Sequence, residues 1–391
     1  MVAGSGPGSI DSDKLWTQPI LIKSQQFDVI VIGGGIAGIS AAAGLASTLK
    51  VLVLEAESQP GYHASGRSAA YFAPAYGNAV VRSLTAASAS FYQNPPKDFA
   101  PDLLIPRSSL FVADQDEASA LDALWSSQPG LEFVTPEDLP EHISILKPGL
   151  FGGLLDVDGG DLRVDAILEG FRRRLLKRGG AIETRKQVVE LAPEGQGWRV
   201  RCSCDASFDA AYVINAAGAW ADDIAVRAGL KPLSLIPKRR TAVLIEAAAE
   251  WCHQRWPMCV GVSEHFYFKA EGHQLLISPA DETPQVACDA QPEDYDIALA
   301  IDRVQAVCEL GEIKVKSAWA GLRTFASDGA FVVGEDARAP GFFWFAGQGG
   351  YGFQSAPALA DLITGLVTKR HLTDIEQASL PLLNPARLQV S

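Results

Sequence analysis

Three glycines, Gly33, Gly35 and Gly38, in G-x-G-x-x-G spacing, and an acid at Glu55 are the first residues whose pattern implies chemistry. The spacing suits a pyrophosphate. Gly33 permits a tight turn, Gly35 lets the backbone approach phosphates, and Gly38 lets a helix pack closely on a strand. Ile36 and Ala37 stand where the first turn of that helix offers unpaired N–H groups and partial positive charge. Glu55 can accept both hydroxyls of an adenosine ribose, and its charge disfavours a 2′-phosphate, which sets NADP aside. Alone, such a triplet is a weak signal, and a ligand-free glycine turn is the competing reading.

The surrounding elements strengthen it. Val29-Ile30-Val31-Ile32 is a β-branched run of the kind found in a buried parallel strand, and 39–48 reads as a helix. Val51-Leu52-Val53-Leu54 is a second buried strand that ends on Glu55. A second corner, Gly347-Gln348-Gly349-Gly350-Tyr351-Gly352, follows the apolar run 342–346 and opens a helix reaching Leu366. A flavin dinucleotide is long enough to use both corners, and a second helix N-terminus stabilises negative charge on a reduced ring. The expected cofactor is therefore FAD rather than NAD. Gly349, Gly350, Tyr351, Gly352 and Gln354 are expected at its ring end, with Ala217 and Gly218 along it.

Composition bounds the rest. With 391 residues, of which 48% are hydrophobic and 20% charged, the chain reads as an ordinary globular protein of two or three domains. Lys and Arg number 33 against 46 Asp and Glu, a net charge of −13 that repels nucleic-acid backbones. Six cysteines are sparse; they imply no disulfide framework, no metal site and a reducing, cytoplasmic setting. Residues 1–25 read as a flexible tail. The apolar run 27–46 carries Asp28 and the glycines, so no transmembrane segment is expected.

Helices are expected at 79–92 and 162–178, the latter with a solvated basic face. A buried strand at 211–215 runs into Ala216-Ala217-Gly218-Ala219-Trp220, and 233–327 alternates in strand fashion. The pattern predicts an α/β fold: a Rossmann-like FAD-binding domain interrupted by an α+β substrate domain with a mostly antiparallel sheet. The expected FAD-binding segments are 26–95, 156–230 and 331–391; the substrate domain takes 96–155 and 231–330.

Several stretches then carry a resemblance: Gln59-Pro60-Gly61-Tyr62-His63, Ser65-Gly66-Arg67-Ser68-Ala69-Ala70, Leu84-Thr85-Ala86-Ala87-Ser88, Asn215-Ala216-Ala217-Gly218-Ala219-Trp220, Pro237-Lys238-Arg239-Arg240-Thr241-Ala242, Trp319-Ala320-Gly321-Leu322-Arg323 and Gln348-Gly349-Gly350-Tyr351-Gly352. From residue 26 onward the chain resembles the D-amino acid oxidase superfamily of FAD-dependent amine oxidoreductases, and within it is similar to bacterial D-arginine dehydrogenases.

The resemblance implies that Ser65, Gly66, Arg67 and Ser68 pass the flavin and pyrophosphate, and that Gln354 sits at the flavin end of the last helix. It implies that Arg240 and Arg323 grip a substrate carboxylate, that Tyr76 and Tyr267 flank it, and that the Gly350 carbonyl accepts from its amine. A planar guanidinium suits a carboxylate because two parallel charge-assisted hydrogen bonds form. The competing readings are structural ion pairs for the arginines, with Arg239 as the inward one, and core packing for the tyrosines.

Two departures bear on the substrate. Arginine-preferring relatives carry a glutamate where this chain has Ser109, or Ser108 if the alignment slips by one, and a histidine where it has Tyr71. Tyr71 and Phe72 are expected to make the entrance bulkier and more apolar. The implied reaction is oxidative deamination of D-amino acids with neutral or hydrophobic side chains to 2-oxo acids and ammonia. No base stands out; water, Tyr71 or Tyr76 can relay the proton, and His63 reads as structural. The electron acceptor stays open. A glycine, sarcosine or other secondary-amine oxidase, and a non-catalytic FAD-binding subunit, are the alternatives.

Overall fold

The computed structural model describes residue 1 and residues 25–389 except 129, 247 and 249–254. The expected tail thus lies almost wholly outside the described residues, as does Cys252.

Gln25–Ile32 is a strand because its apolar residues are covered on both faces, and Val29, Ile30 and Val31 are fully buried. It pairs in parallel with Val51–Leu54 on one side and Ser207–Asn215 on the other. Ala181–Glu183 and Phe342–Ala346 extend this parallel core outward. Antiparallel strands flank it: the hairpin of Val188–Glu194 and Gly197–Cys202, and the strand Val332–Glu335. The helices Ile36–Leu45 and Gly352–Thr368 pack together over it, so closely that a Cβ at Gly44 would stand 2.3 Å from Thr364 Oγ1.

The first helix begins three residues earlier than the expected 39–48, inside the glycine motif, with Gly35 as its N-cap. Gly38 lies inside that helix and serves close packing, as its place in the motif implies. A Cβ at that position would lie 1.9 Å from the Gly33 carbonyl oxygen.

A second sheet has nine strands, all antiparallel neighbours except Met258–Gly261 beside Ser109–Ala113. Its longest pair is Ile236–Glu246 with Val315–Phe325, in register so that Arg240 faces Gly321 and Lys238 faces Arg323. The strands of the first sheet come from 25–54, 181–215 and 332–346, and those of the second from 109–156 and 236–325. The fold is therefore α/β with a mostly antiparallel sheet inserted between the segments of a Rossmann-like one, as expected.

The stretch expected to alternate throughout 233–327 contains a helix, Asp294–Val307. Ile297, Leu299 and Ile301 imitate strand alternation, whereas the buried positions are Asp296, Ala300 and Val304, one helical face. This helix covers the back of the second sheet, and its Asp296 pairs with Arg239 there.

A third, small sheet joins Tyr71–Phe72 to Gly160–Leu162, with Leu104–Pro106 on the far side of Gly160–Leu162. Successive strand residues point oppositely, so Phe72 is buried in the main core against Tyr92, not at the entrance as expected. Among the described residues no helix is long and apolar enough to cross a membrane.

Candidate active site

One cavity of about 400 Å³ runs between the two sheets, from Glu55 and Lys186 to Arg240 and Arg323. At its first end Gly33 has φ +110°, and a Cβ there would lie 2.4 Å from the Ala216 carbonyl oxygen. Only glycine fits such a turn. Gly35, Ile36 and Ala37 line the cavity at the helix N-terminus, and the Ile36 N–H donates to Ser65 Oγ at 2.9 Å. The Glu55 carboxylate accepts from the Gly34 and Glu57 N–H groups at 2.6 and 2.8 Å while still facing the cavity. It is thus aimed before any ligand arrives, and each oxygen keeps a further lone pair for a hydroxyl.

Ser65, Arg67, Ser68, Ala217 and Gly218 continue the wall. Arg67 is not a free cation for a pyrophosphate. Its guanidinium donates to the carbonyls of Ala290 and Ala320 at 2.8 and 2.9 Å and pairs with Asp289. It fastens the segment after the second strand to the second sheet. Gly66 lies behind the wall, where a Cβ would meet the Gly61 carbonyl oxygen at 2.5 Å. Gly38 is likewise a packing glycine. Gly349, Gly350 and Gly352 line the far end. Gln354, expected at the flavin, is buried elsewhere: its amide accepts from the Ala73 N–H and donates to Thr85, at 3.2 and 2.9 Å. Tyr351 caps the helix Gly352–Thr368, which is followed by a further helix, Asp374–Leu383, and packs its ring 5.2 Å from that of Tyr76.

The arginine end of the cavity is set by register. Residues opposite one another in an antiparallel pair share a face, so Arg240, Gly321, Lys238 and Arg323 all point toward the cavity side and Arg239 points away. Arg239 is buried among Asp281, Glu293 and Asp296 on the back of the sheet, an internal ion cluster. Arg240 lines the cavity, with its Nε donating to the Asp281 carbonyl at 2.8 Å and its Nη2 to Glu282 at 3.1 Å. Arg323 also lines it and, among the described residues, has neither a hydrogen-bond nor an ion-pair partner. Burial opposes its charge, but Tyr267, Tyr76, Tyr351 and Glu282 outweigh that and hold its pKa above the ordinary arginine value. A Cβ on Gly350 would come within 2.8 Å of Arg323 Nη1, so glycine is what lets the backbone lie on the guanidinium.

Tyr267 is buried and lines the cavity with Arg240 and Arg323. Tyr76 lies behind the cavity wall and bonds to Glu264; burial raises the pKa of both groups. Glu264 was not foreseen. It occupies the turn between Met258–Gly261 and Tyr267–Glu271 with φ +56°, its N–H donating to the Gly261 carbonyl at 2.7 Å. Tyr71 is placed outside the cavity lining. Its hydroxyl donates to the Arg107 carbonyl at 2.7 Å and meets Ser109 Oγ at 3.1 Å. Burial first, and the neighbouring carboxylates Asp161 and Asp156, push its pKa far up, so Tyr71 is a poor proton carrier.

The glycine turn, the pre-aimed Glu55 and a cavity lined continuously from Glu55 to Arg323 fit an adenine dinucleotide. The family model described as DAO, FAD dependent oxidoreductase, matches residues 28–366, and the chain belongs to that family. It is an FAD-dependent oxidoreductase. It is 25% identical to the glycine oxidase of Pseudomonas putida, over 87% of this chain and 94% of that one. It is 24% identical to the glycerol 3-phosphate dehydrogenase of Caloramator mitchellensis, over 85% of this chain and 72% of the relative. Among solved structures, L-proline dehydrogenase from P. horikoshii superposes with a TM-score of 0.81 at 19% identity, covering 94% of this chain and 98% of that one, a likeness of fold.

Proposed function

We propose that the protein catalyses the oxidative deamination of D-amino acids with neutral side chains to 2-oxo acids and ammonia. One observation carries this reading: Arg323 presents a guanidinium without a partner among the described residues to the same cavity as Arg240. A half-buried cation left unpaired is costly unless an anion completes it. An α-carboxylate meets that demand with two parallel hydrogen bonds.

In this reading Arg323 and Arg240 fix the carboxylate, Gly350 offers its carbonyl to the amine, and Tyr267 restricts the remaining freedom. Orientation of the α-hydrogen supplies much of the rate. FAD, held along the glycine turn and Glu55, would supply the two-electron acceptor for the hydride leaving the α-carbon. The amine sheds its extra proton first; we assign its passage to water, since Tyr76, like Tyr71, stands outside the cavity lining. Water then hydrolyses the substrate imine.

The similarity to bacterial D-arginine dehydrogenases belongs to the same proposal. Ser109, buried beneath Tyr71, offers no charge to a cationic side chain, and this favours neutral ones. A second reading, oxidation of glycine or an N-methyl amine, is favoured by the full-length similarity to a glycine oxidase. The segments 26–95, 156–230 and 331–391 are proposed to hold FAD, and 96–155 with 231–330 the substrate. The buried free thiols of Cys259 and Cys308 suit a cytoplasmic setting.

Anaerobic mixing of the FAD-loaded protein with D-alanine, D-leucine, D-arginine, L-alanine, glycine and sarcosine tests this. The proposal expects neutral D-amino acids to bleach the flavin absorbance fastest. A large D-arginine advantage, or bleaching by L-alanine alone, contradicts it.

A further inference from the structure

We infer that Tyr71 is a plug that sets how long a substrate side chain the site accepts, and that the accepted side chains are small. The inference rests on the amino-acid reading above and narrows it.

With the carboxylate held at Arg240 and Arg323, the substituent on the α-carbon has the paired rings of Tyr76 and Tyr351 on one side, behind the cavity wall, and past Glu282 a second hollow lined by Val262, Ser263, Glu264 and Ala280. The cavity that holds both arginines continues along the sheet face, and we take the substituent that way. There the residues sharing the face of Arg240 are Ala242 and then Leu244, and across the strands come Tyr267, Leu276 and Met258. The cavity lining includes Ala69, Ala242 and Tyr267 but stops before Leu244, Leu276 and Met258. Those residues form an apolar cluster closed over by Tyr71 and Trp319. The face that would extend the pocket is therefore filled by the Tyr71 ring.

The plug is anchored at both ends. Its hydroxyl is held by the Arg107 carbonyl and Ser109 Oγ, at 2.7 and 3.1 Å. A Cβ at Gly159 would stand 2.5 Å from that hydroxyl, so the chain makes room for it with glycine. The backbone of Tyr71 pairs with Asp161, whose carboxylate is fixed by Arg107 at 2.6 Å and by the buried Lys269 at 2.8 Å. A ring so supported does not swing aside for a larger substrate at little cost. Methyl or hydrogen fits the space left between Ala69, Ala242 and Tyr267; branched or aromatic side chains collide with the plug.

The test compares kcat/KM for glycine, D-alanine, D-leucine and D-phenylalanine in the FAD-loaded wild type, Tyr71→Phe and Tyr71→Ala. The wild type should favour D-alanine over D-phenylalanine by roughly 100-fold. Tyr71→Phe keeps the ring and should keep the preference, while Tyr71→Ala should bring the ratio to within about tenfold. As a check independent of turnover and of the variants, acetate should perturb the wild-type flavin spectrum at lower concentration than phenylacetate. Equal use of D-alanine and D-phenylalanine by the wild type, equal binding of the two carboxylates, or an unchanged ratio in a folded Tyr71→Ala overturns the plug while leaving the amino-acid reading in place. Failure of every amino acid to bleach the flavin of the wild type and of Tyr71→Ala overturns that reading, and the plug with it.

Discussion

Arg239 and Arg240 are neighbours in the chain and serve opposite faces of one sheet. Arg240 enters the cavity, whereas Arg239 is buried behind it with Asp296 at 2.9 Å. Register decides which does which: Arg240 lies opposite Gly321, and Arg239 opposite Leu322. The two guanidiniums therefore predict separable phenotypes.

Loss of the clamp should show in substrate affinity. Arg323→Gln should lower kcat/KM for D-alanine roughly 100-fold or more, about 3 kcal/mol, mainly through KM, because one of two charge-assisted partners disappears. FAD content should stay near that of the wild type, since Arg323 stands at the substrate end. Steady-state kinetics with flavin quantitation checks both.

Loss of the rear arginine should show in stability. Arg239→Met leaves Asp296 and Asp281, both buried, without their cation. Breaking such a cluster costs about 3–5 kcal/mol. Urea denaturation should show the drop, with the kcat/KM of the remaining folded enzyme within about threefold of wild type.

A single methyl at Gly38 should uncouple FAD binding from folding. The added Cβ would stand 1.9 Å from the Gly33 carbonyl oxygen, so the helix must move off the glycine turn. Gly38→Ala should purify with FAD largely lost and bind added FAD at least tenfold more weakly, about 1.4 kcal/mol. Fluorescence titration of the apoprotein measures it.

Acid should weaken the first sheet through Asp336. Burial opposes its charge, but Arg338 and the Trp344 indole outweigh that and hold its pKa down to about 2. A depressed carboxylate stabilises the fold above its unfolded value near 3.9, and loses that contribution as pH falls toward 2. The contribution is about 2 kcal/mol. Asp336→Asn should flatten the fall of stability between pH 4 and pH 2, read by denaturation at each pH.

The glycine turn was legible because its physics is local: Gly33 needs positive φ and Gly38 needs no Cβ, and both demands sit within six residues of sequence. Glu55 was legible for the same reason. The face of Arg240 was not, because it depends on pairing with a distant strand. Glu264 carried no signal; only the folded turn with its positive φ brings that carboxylate to Tyr76. Gln354 and Tyr71 carried the right residue types at plausible positions, yet tertiary hydrogen bonds to Thr85 and Ser109 claim their polar atoms. The helix Asp294–Val307 was hidden because its half-buried apolar residues Ile297, Leu299 and Ile301 alternate while its fully buried face recurs every fourth position.

The central claim is that Arg240 and Arg323 together receive the acid end of an amino acid. A crystal structure of the FAD-loaded protein with its flavin reduced beforehand, soaked anaerobically with D-alanine, measures it directly. The account predicts carboxylate oxygens about 2.9 Å from nitrogens of both guanidiniums, with the methyl group turned toward Ala242 and Tyr267. A bound D-alanine whose carboxylate lies away from both arginines would contradict it.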